Sequence, residues 1–284
     1  MLITMKKYLV VLFILFINLS FAQVYNFGAN ELTFKNMVNN GITFVKTGNS
    51  HFDSIMIANL DEYWTFSEVD TIGQYKRPAK TSTALFVTTK EFTKKHMMDR
   101  KNQHVLVLQP AEIYVPRKAV KMEQTLGYMY VNGFYDLVAE EEEYRYSYIL
   151  VKSLNQGLNF IKDKRLTGEP EALNTKISEA VTGNNGPSVG NTLILNREQT
   201  RHAVVAEELD KLNITYRLLA EKEYYETLAK KNPEHIILYF AVNRFTEMAL
   251  VSVSDGQMLY AKHFREDYPT ITKKELKLIA GYFK

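Results

Sequence analysis

The 284 residues carry 35 Lys and Arg against 32 Asp and Glu, a formal charge of +3, with 46% hydrophobic residues, 18 Tyr, 16 Phe, one Trp and no Cys. Disulfides, thiol nucleophiles, cysteine-held metals and the lipid-bearing cysteine of a bacterial lipoprotein are all excluded, so stability rests on apolar packing. The near-neutral balance gives no overall attraction to nucleic acid or to an anionic membrane, and the length suits one large domain or two ordinary ones.

At the start, Lys6 and Lys7 precede an apolar run over 8–19, and Ser20-Phe21-Ala22 stands before Gln23. A positive end, an apolar centre and small residues at −3 and −1 make a secretory signal peptide, with cleavage expected between Ala22 and Gln23. The rival is an uncleaved anchor, but the run is broken by Asn18 and falls short of the roughly 20 apolar residues that span a bilayer. Both basic residues leave with the signal, so the mature balance is 33 against 32, or +1. The cut resembles Sec signals of Gram-negative bacteria, which implies the periplasm, with the extracellular space as the alternative.

A first unit over 23–136 reads as a strand at 42–46, a helix over 52–63, strands at 66–71, 84–88 and 105–109, and a helix after Pro116. Between its strands lies a basic cluster, Lys90, Lys94, Lys95, Arg100 and Lys101, a solvated run and the chain's candidate binding surface for an anion or an envelope polymer. The tyrosine-rich stretch Tyr128, Tyr130, Phe134, Tyr135, Tyr144, Tyr146 and Tyr148 suits an interface or a half-buried sheet, with packing favoured. Asn132-Gly133 fits either a helix-ending turn or a hairpin.

Over 144–164, within a connecting segment 137–166, Tyr144, Tyr148, Val151, Leu154, Leu158 and Ile161 step by three and four, the most regular helical pattern in the chain. Glu140 to Glu143 at its start and Lys162, Lys164 and Arg165 at its end suit the helix dipole. Residues 167–189, with Gly168, Pro170, Gly183, Gly186 and Pro187, read as a linker.

The second unit, 190–284, is clearer. A buried strand at 192–195 leads to a helix over 203–212 capped at Thr200, and a strand at 214–219 to a charged helix over 221–231 that ends before Pro233. Strands follow at 236–242, 248–254 and 258–264, with a type I′ turn expected at Asp255-Gly256. A helix over 273–283, capped by Thr272, closes the chain.

The two units align weakly. At an offset of 149, Gly41, Thr43, Leu60, Asp61 and Tyr75 match Gly190, Thr192, Leu209, Asp210 and Tyr224; at 153, Phe92-Thr93 and Pro116 match Phe245-Thr246 and Pro269, laying 105–108 over 258–261. The expectation is an α/β protein, with α+β as the neighbouring class: two related domains, each a small mixed sheet with helices packed on it. Through the strand-helix-strand start at Thr192 and the segment Val251-Ser-Val-Ser-Asp-Gly-Gln-Met-Leu-Tyr260, residues 192–264 resemble the α/β domain of the Tol-Pal β-propeller protein and of the curli-secretion family. That resemblance implies assembly with other envelope proteins rather than catalysis, although the chain carries no propeller repeats.

Chemistry-bearing motifs are scarce. The six histidines, His51, His96, His104, His202, His235 and His263, show no metal-ligand spacing, and neither a Gly-x-Ser-x-Gly elbow nor a glycine-rich phosphate loop followed by Lys is present. No metal and no cofactor are expected. The leading reading is a non-catalytic binding or assembly module of the envelope, partnered by another envelope protein or a polymer and not by nucleic acid. The rival is a hydrolase assembled from distant residues, with His202, Glu207 and Asp210 as candidates because α/β sites form in the turns at strand ends.

Overall fold

The computed structural model describes residues 31–89, 104–116, 118, 120, 125–130, 144, 146–166, 173, 176, 180, 191–197, 202–242, 246–264 and 273–283. They form two mixed five-stranded sheets with helices packed on them, an α/β architecture. The first unit runs α1 (Glu31–Asn40), β1 (Ile42–Val45), α2 (Ser50–Tyr63), β2 (Val69–Ile72), β3 (Thr83–Thr89), β4 (His104–Pro110), β5 (Gly127–Tyr130) and α3 (Ser147–Asp163). The second runs β6 (Thr192–Asn196), α4 (His202–Leu212), β7 (Tyr216–Leu219), α5 (Glu221–Ala229), β8 (His235–Val242), β9 (Thr246–Ser252), β10 (Met258–Phe264) and α6 (Lys273–Tyr282).

The strand orders are β2-β1-β3-β4-β5 and β7-β6-β8-β9-β10. In each sheet the first strand lies parallel to both neighbours and the remaining pairs are antiparallel. Position for position, the two sheets therefore have the same order and the same directions. β1 and most of β6 are buried on both faces, as central parallel strands must be, which explains their unbroken apolar runs.

Register refines the sequence alignment. Ile42 N–H donates to Glu68 O at 2.9 Å, and Leu193 N–H to Thr215 O at 2.9 Å, so Ile42 and Leu193 hold the same place. That is an offset of 151 rather than 149, and a shift of two residues is one pleat repeat, which leaves the same side chains on the same face. The offset of 153 is corrected: it lays β4 over β10, whereas by place in the sheet β4 corresponds to β9. Local similarity there misled because every strand offers the same alternating apolar residues.

Three further expectations give way. The described residues after Pro116 form no helix; the chain instead adds β5, because Tyr128 and Met129 complete the sheet beside β4 and become buried. Asp255-Gly256 is not a two-residue type I′ turn: Gly256 has φ +67° but Asp255 is not left-handed, and residues 253–257 form a longer loop that docks on α3. The segment read as a linker contains the buried, helical Leu173. Helix α1 went unread. Its Met37 is buried, its Phe34 meets Phe66 edge-on, and Gly41 after it takes φ +72°.

The units also differ. Between β7 and β8 the chain makes α5, whereas between β2 and β3 residues 73–82 cross without a helix. The apolar interior is not divided into one core per unit. Leu193, Leu195, Ile236, Leu238 and Leu250 on one face of the second sheet close a compact core with Leu209 of α4 and Leu276, Ile279 and Ala280 of α6. Its opposite face, through Ile194, Ile237, Tyr239, Ala249 and Val251, joins α5, α3 and the whole first sheet in a single cluster. Ile194 thus packs in the shared cluster rather than in a core of its own unit, since alternate strand residues face opposite ways. Leu209 is 0% exposed in the smaller core. Leu209→Ala should cost about 2–5 kcal/mol of unfolding free energy in a denaturant titration, the range of truncated buried leucines.

Candidate functional site

Ligands of open α/β sheets sit beyond the carboxyl ends of the strands, where neighbouring connections diverge. In the first sheet that place lies beside β1, whose loop 46–49 leads into α2. Here Asp53, buried in the first turn of α2, accepts from Thr47 N at 2.8 Å, Thr47 Oγ1 at 2.8 Å and Gly48 N at 3.1 Å. Asn49 caps the helix by accepting from Phe52 N at 3.1 Å and donates to Tyr144 Oη at 3.2 Å. The backbone amides that would cradle an anion are thus engaged by the protein's own carboxylate.

Beside this clamp the chain turns outward. Lys46 N donates to Ile72 O at 3.1 Å, the Gln74 amide donates to Thr47 O, and Lys76 N closes a turn on Gly73 O at 3.2 Å. These bonds gather Lys46, Gln74, Tyr75 and Lys76 at one corner, with Arg77 next in the chain. Tyr75 holds φ +65° with 47% of its surface exposed. A left-handed tyrosine costs about 1–2 kcal/mol relative to ordinary backbone.

The second notable locus is the seam between the units. Tyr148 of α3 donates to Val253 O at 2.6 Å and lies 3.3 Å from Leu228 O. Burial, reinforced by Tyr224, Tyr63 and Asp255, raises its pKa and keeps the phenol protonated. Lys231 Nζ, just past α5, donates to the Tyr63 hydroxyl and sits 5.0 Å from the ring centres of both Tyr63 and Tyr148; Lys152 Nζ lies 4.8 Å from the Tyr63 ring. Met258 N donates to Gln156 Oε1 at 3.2 Å. The seam chemistry is cation–π and backbone-directed, an arrangement that locks elements together.

Of the hydrolase candidates, Glu207 and Asp210 are exposed on α4, and Asp210 accepts from Tyr216 Oη at 3.3 Å. His202 begins α4, and its side chain lies outside what the structure describes. The buried carboxylate of that helix is instead Glu208, which sequence reading missed. It pairs with Lys273 of α6 and with Lys211 at 3.6 Å, and the Lys273 ammonium holds its carboxyl below the usual carboxylate range. Helical phase could have found it, since Glu208 adjoins Leu209 on the buried side. Lys90, Lys94, Lys95, Arg100, Lys101, Ala22 and Gln23 lie outside the described residues.

Among the described residues no group of three or more His, Asp or Glu is placed to hold a metal, and no helix is long and apolar enough to cross a membrane. The chain matches no family model, no curated protein and no solved structure.

Two outcomes follow from these loci. A Cβ on Gly256 would meet Lys152 Cδ at 3.1 Å and Tyr148 Cδ2 at 3.3 Å at φ +67°, so Gly256→Ala should destabilise by about 1–2 kcal/mol or more in thermal or denaturant unfolding. His235, whose buried Nδ1 has no hydrogen-bond partner, has a depressed pKa, chiefly from burial, then from Arg217 and Lys230 and against Glu234. The folded state therefore binds fewer protons than the unfolded one, and this contribution is full above about pH 6.5 and lost as pH falls below it. The melting temperature should drop on acidification from pH 7 to 5, and His235→Gln should flatten that part of the profile.

Proposed function

We propose that this chain is an exported, non-catalytic binding or assembly module of the bacterial envelope, the periplasm being its first location. The observation that carries this reading is how the charged and polar groups of the described fold are engaged: Asp53 holds a loop, Glu208 ties α4 to α6, and Tyr148 and Lys231 join the two units. Groups so committed build a stiff body that presents surfaces. The signal-like start supplies the export half of the proposal.

We further infer that the halves descend from one duplicated unit. The support is the common strand order with common directions, together with the weak sequence match of 41–75 to 190–224, whose offset the register shifts by two at the first strand. Likeness to the Tol and curli-secretion α/β domains is part of the same proposal and rests on the strand-helix-strand start and the closing strands. The edge strands β2 and β7 suit a module that avoids indiscriminate pairing. The Asp70 carboxylate accepts from Thr71 N at 2.7 Å on one, and Arg197 reaches Leu218 O at 3.5 Å on the other.

Fractionation of the producing cell with N-terminal sequencing should find the protein outside the cytoplasm beginning at Gln23. Purified protein should show no turnover of ester, glycoside or peptide substrates. Activity that disappears in His202→Ala would establish the hydrolase reading instead.

A further inference from the structure

The turn that joins α5 to β8 holds both a histidine with an orphaned ring nitrogen and the lysine that spans the seam. Asn232 fixes the protonation state of that histidine. Its Oδ1 accepts from Glu234 N at 2.9 Å, so its amide nitrogen is the atom that faces His235 Nε2 at 3.3 Å. Nε2 is therefore the acceptor, and Nδ1 carries the proton, buried with no hydrogen-bond partner. A second proton has only Nε2 to go to, where a donor already points. Burial of the ring opposes the added charge, as do Arg217 of β7 and Lys230 at the end of α5, while Glu234 favours it. The neighbouring strand β6 and the loop 253–257 meet His235 through the backbone of Thr192 and Val253, which do not titrate.

Two short connections run from this ring to the seam. Lys231 adjoins Asn232 in the chain; its N–H closes on Leu228 O at 3.1 Å and its φ is +47°. A left-handed residue other than glycine stays so only while its surroundings hold it. Its ammonium donates to Tyr63 of α2 and lies 5.0 Å from the ring centres of Tyr63 and Tyr148. The second connection is through backbone: His235 O accepts from Val253 N at 3.0 Å, and Val253 O accepts from Tyr148 Oη at 2.6 Å. We propose that His235 is the trigger of an acid-operated latch: a proton on Nε2 sets donor against donor at Asn232, opens the turn 231–235 and unseats Lys231 from Tyr63 and Tyr148, which loosens the seam between the units. The folded ring takes that proton below the ordinary histidine value of about 6.5. The latch is therefore shut at neutral pH and opens as the pH falls past that value. It goes beyond the binding-module reading and needs neither export nor a partner.

Amide hydrogen exchange of the purified protein at pH 7.5 and pH 5.5, corrected for the intrinsic pH dependence of exchange, reads the latch directly. Both values lie above the ordinary carboxylate range, so histidines are the side chains that titrate between them. Acid should lower protection by about fivefold or more at the turn amides of Lys231, Glu234 and His235 and at the seam amides of Val253 and Met258, while α4 and α6 keep theirs. His235→Gln should lose this response. Asn232→Asp should invert it: one carboxylate oxygen still accepts from Glu234 N, and the other accepts from the protonated Nε2, so acid raises protection in the turn. Lys231→Met should leave the acid response of the turn and lower seam protection by about fivefold already at pH 7.5. A loss of protection spread evenly over the protein, an unchanged response in His235→Gln or Asn232→Asp, or a turn that opens while Val253 and Met258 stay protected would overturn the proposal.

Discussion

The packing of α3 against both units is the constraint on which the rest of the structure depends. One side of this helix lies along α2, where Asn59 donates to Ser147 Oγ at 2.8 Å and Asn155 accepts from Thr65 N and Phe66 N at 3.0 Å each. It also packs on β5, and it meets α5 and the loop before β10 through Tyr148, Lys152 and Gln156. A helix with one apolar stripe would serve a single sheet. This one is buried at Tyr148, Ile149, Leu150, Val151, Ser153, Leu154, Gly157, Leu158 and Ile161, which is most of its circumference. Burial over so much of a helix places it in an interior, and here that interior is the joint between two sheets.

That joint explains why the units differ where they do. The second sheet is apolar on both faces, and each face needs a cover. α4 and α6 cover one; α5 and α3 share the other. The loop 253–257 must approach α3 closely, which is why Gly256, with no Cβ, stands where its backbone is left-handed. Lys231 holds the outer rim of the joint by seating its ammonium over Tyr63 and Tyr148, so α2, α3 and the end of α5 meet at one aromatic cluster. These contacts tie the two units to one another through α3.

Much of the fold was legible in the chain because it obeys local periodicity. The stepped apolar residues from Tyr144 to Ile161 specify a helix wherever they are placed. The strand-helix-strand start of each unit reads from short apolar runs, and the start of α5 from charged residues after a strand. The class followed from these elements alone, because alternating strands and helices leave few ways to bury their faces. The bonded cluster at the carboxyl edge of the first sheet was not legible. Asp53, Gly48 and Gln74 are ordinary residues in sequence, and only the parallel pairing of β1 with β2 brings residues 46–49 beside 74–76. Glu208 was overlooked for a related reason: its neighbours Glu207 and Asp210 differ from it in helical phase, not in kind.

By itself the sequence determined the kinds of most elements, the absence of disulfides, the signal-like start and the near-neutral charge balance, since each depends on residue type and nearest neighbours. Only the tertiary structure decided that β4 takes the place of β9 rather than β10, that 127–130 becomes a strand, and that Ile194 and Leu193 enter different cores. Those outcomes depend on which surfaces meet beyond the reach of nearest neighbours in the chain, and an alternating apolar pattern fits several partners about equally well. The helix between the units shows the same division: its periodicity fixed that it is a helix, and the second sheet's need for cover fixed that it is the centre of the molecule.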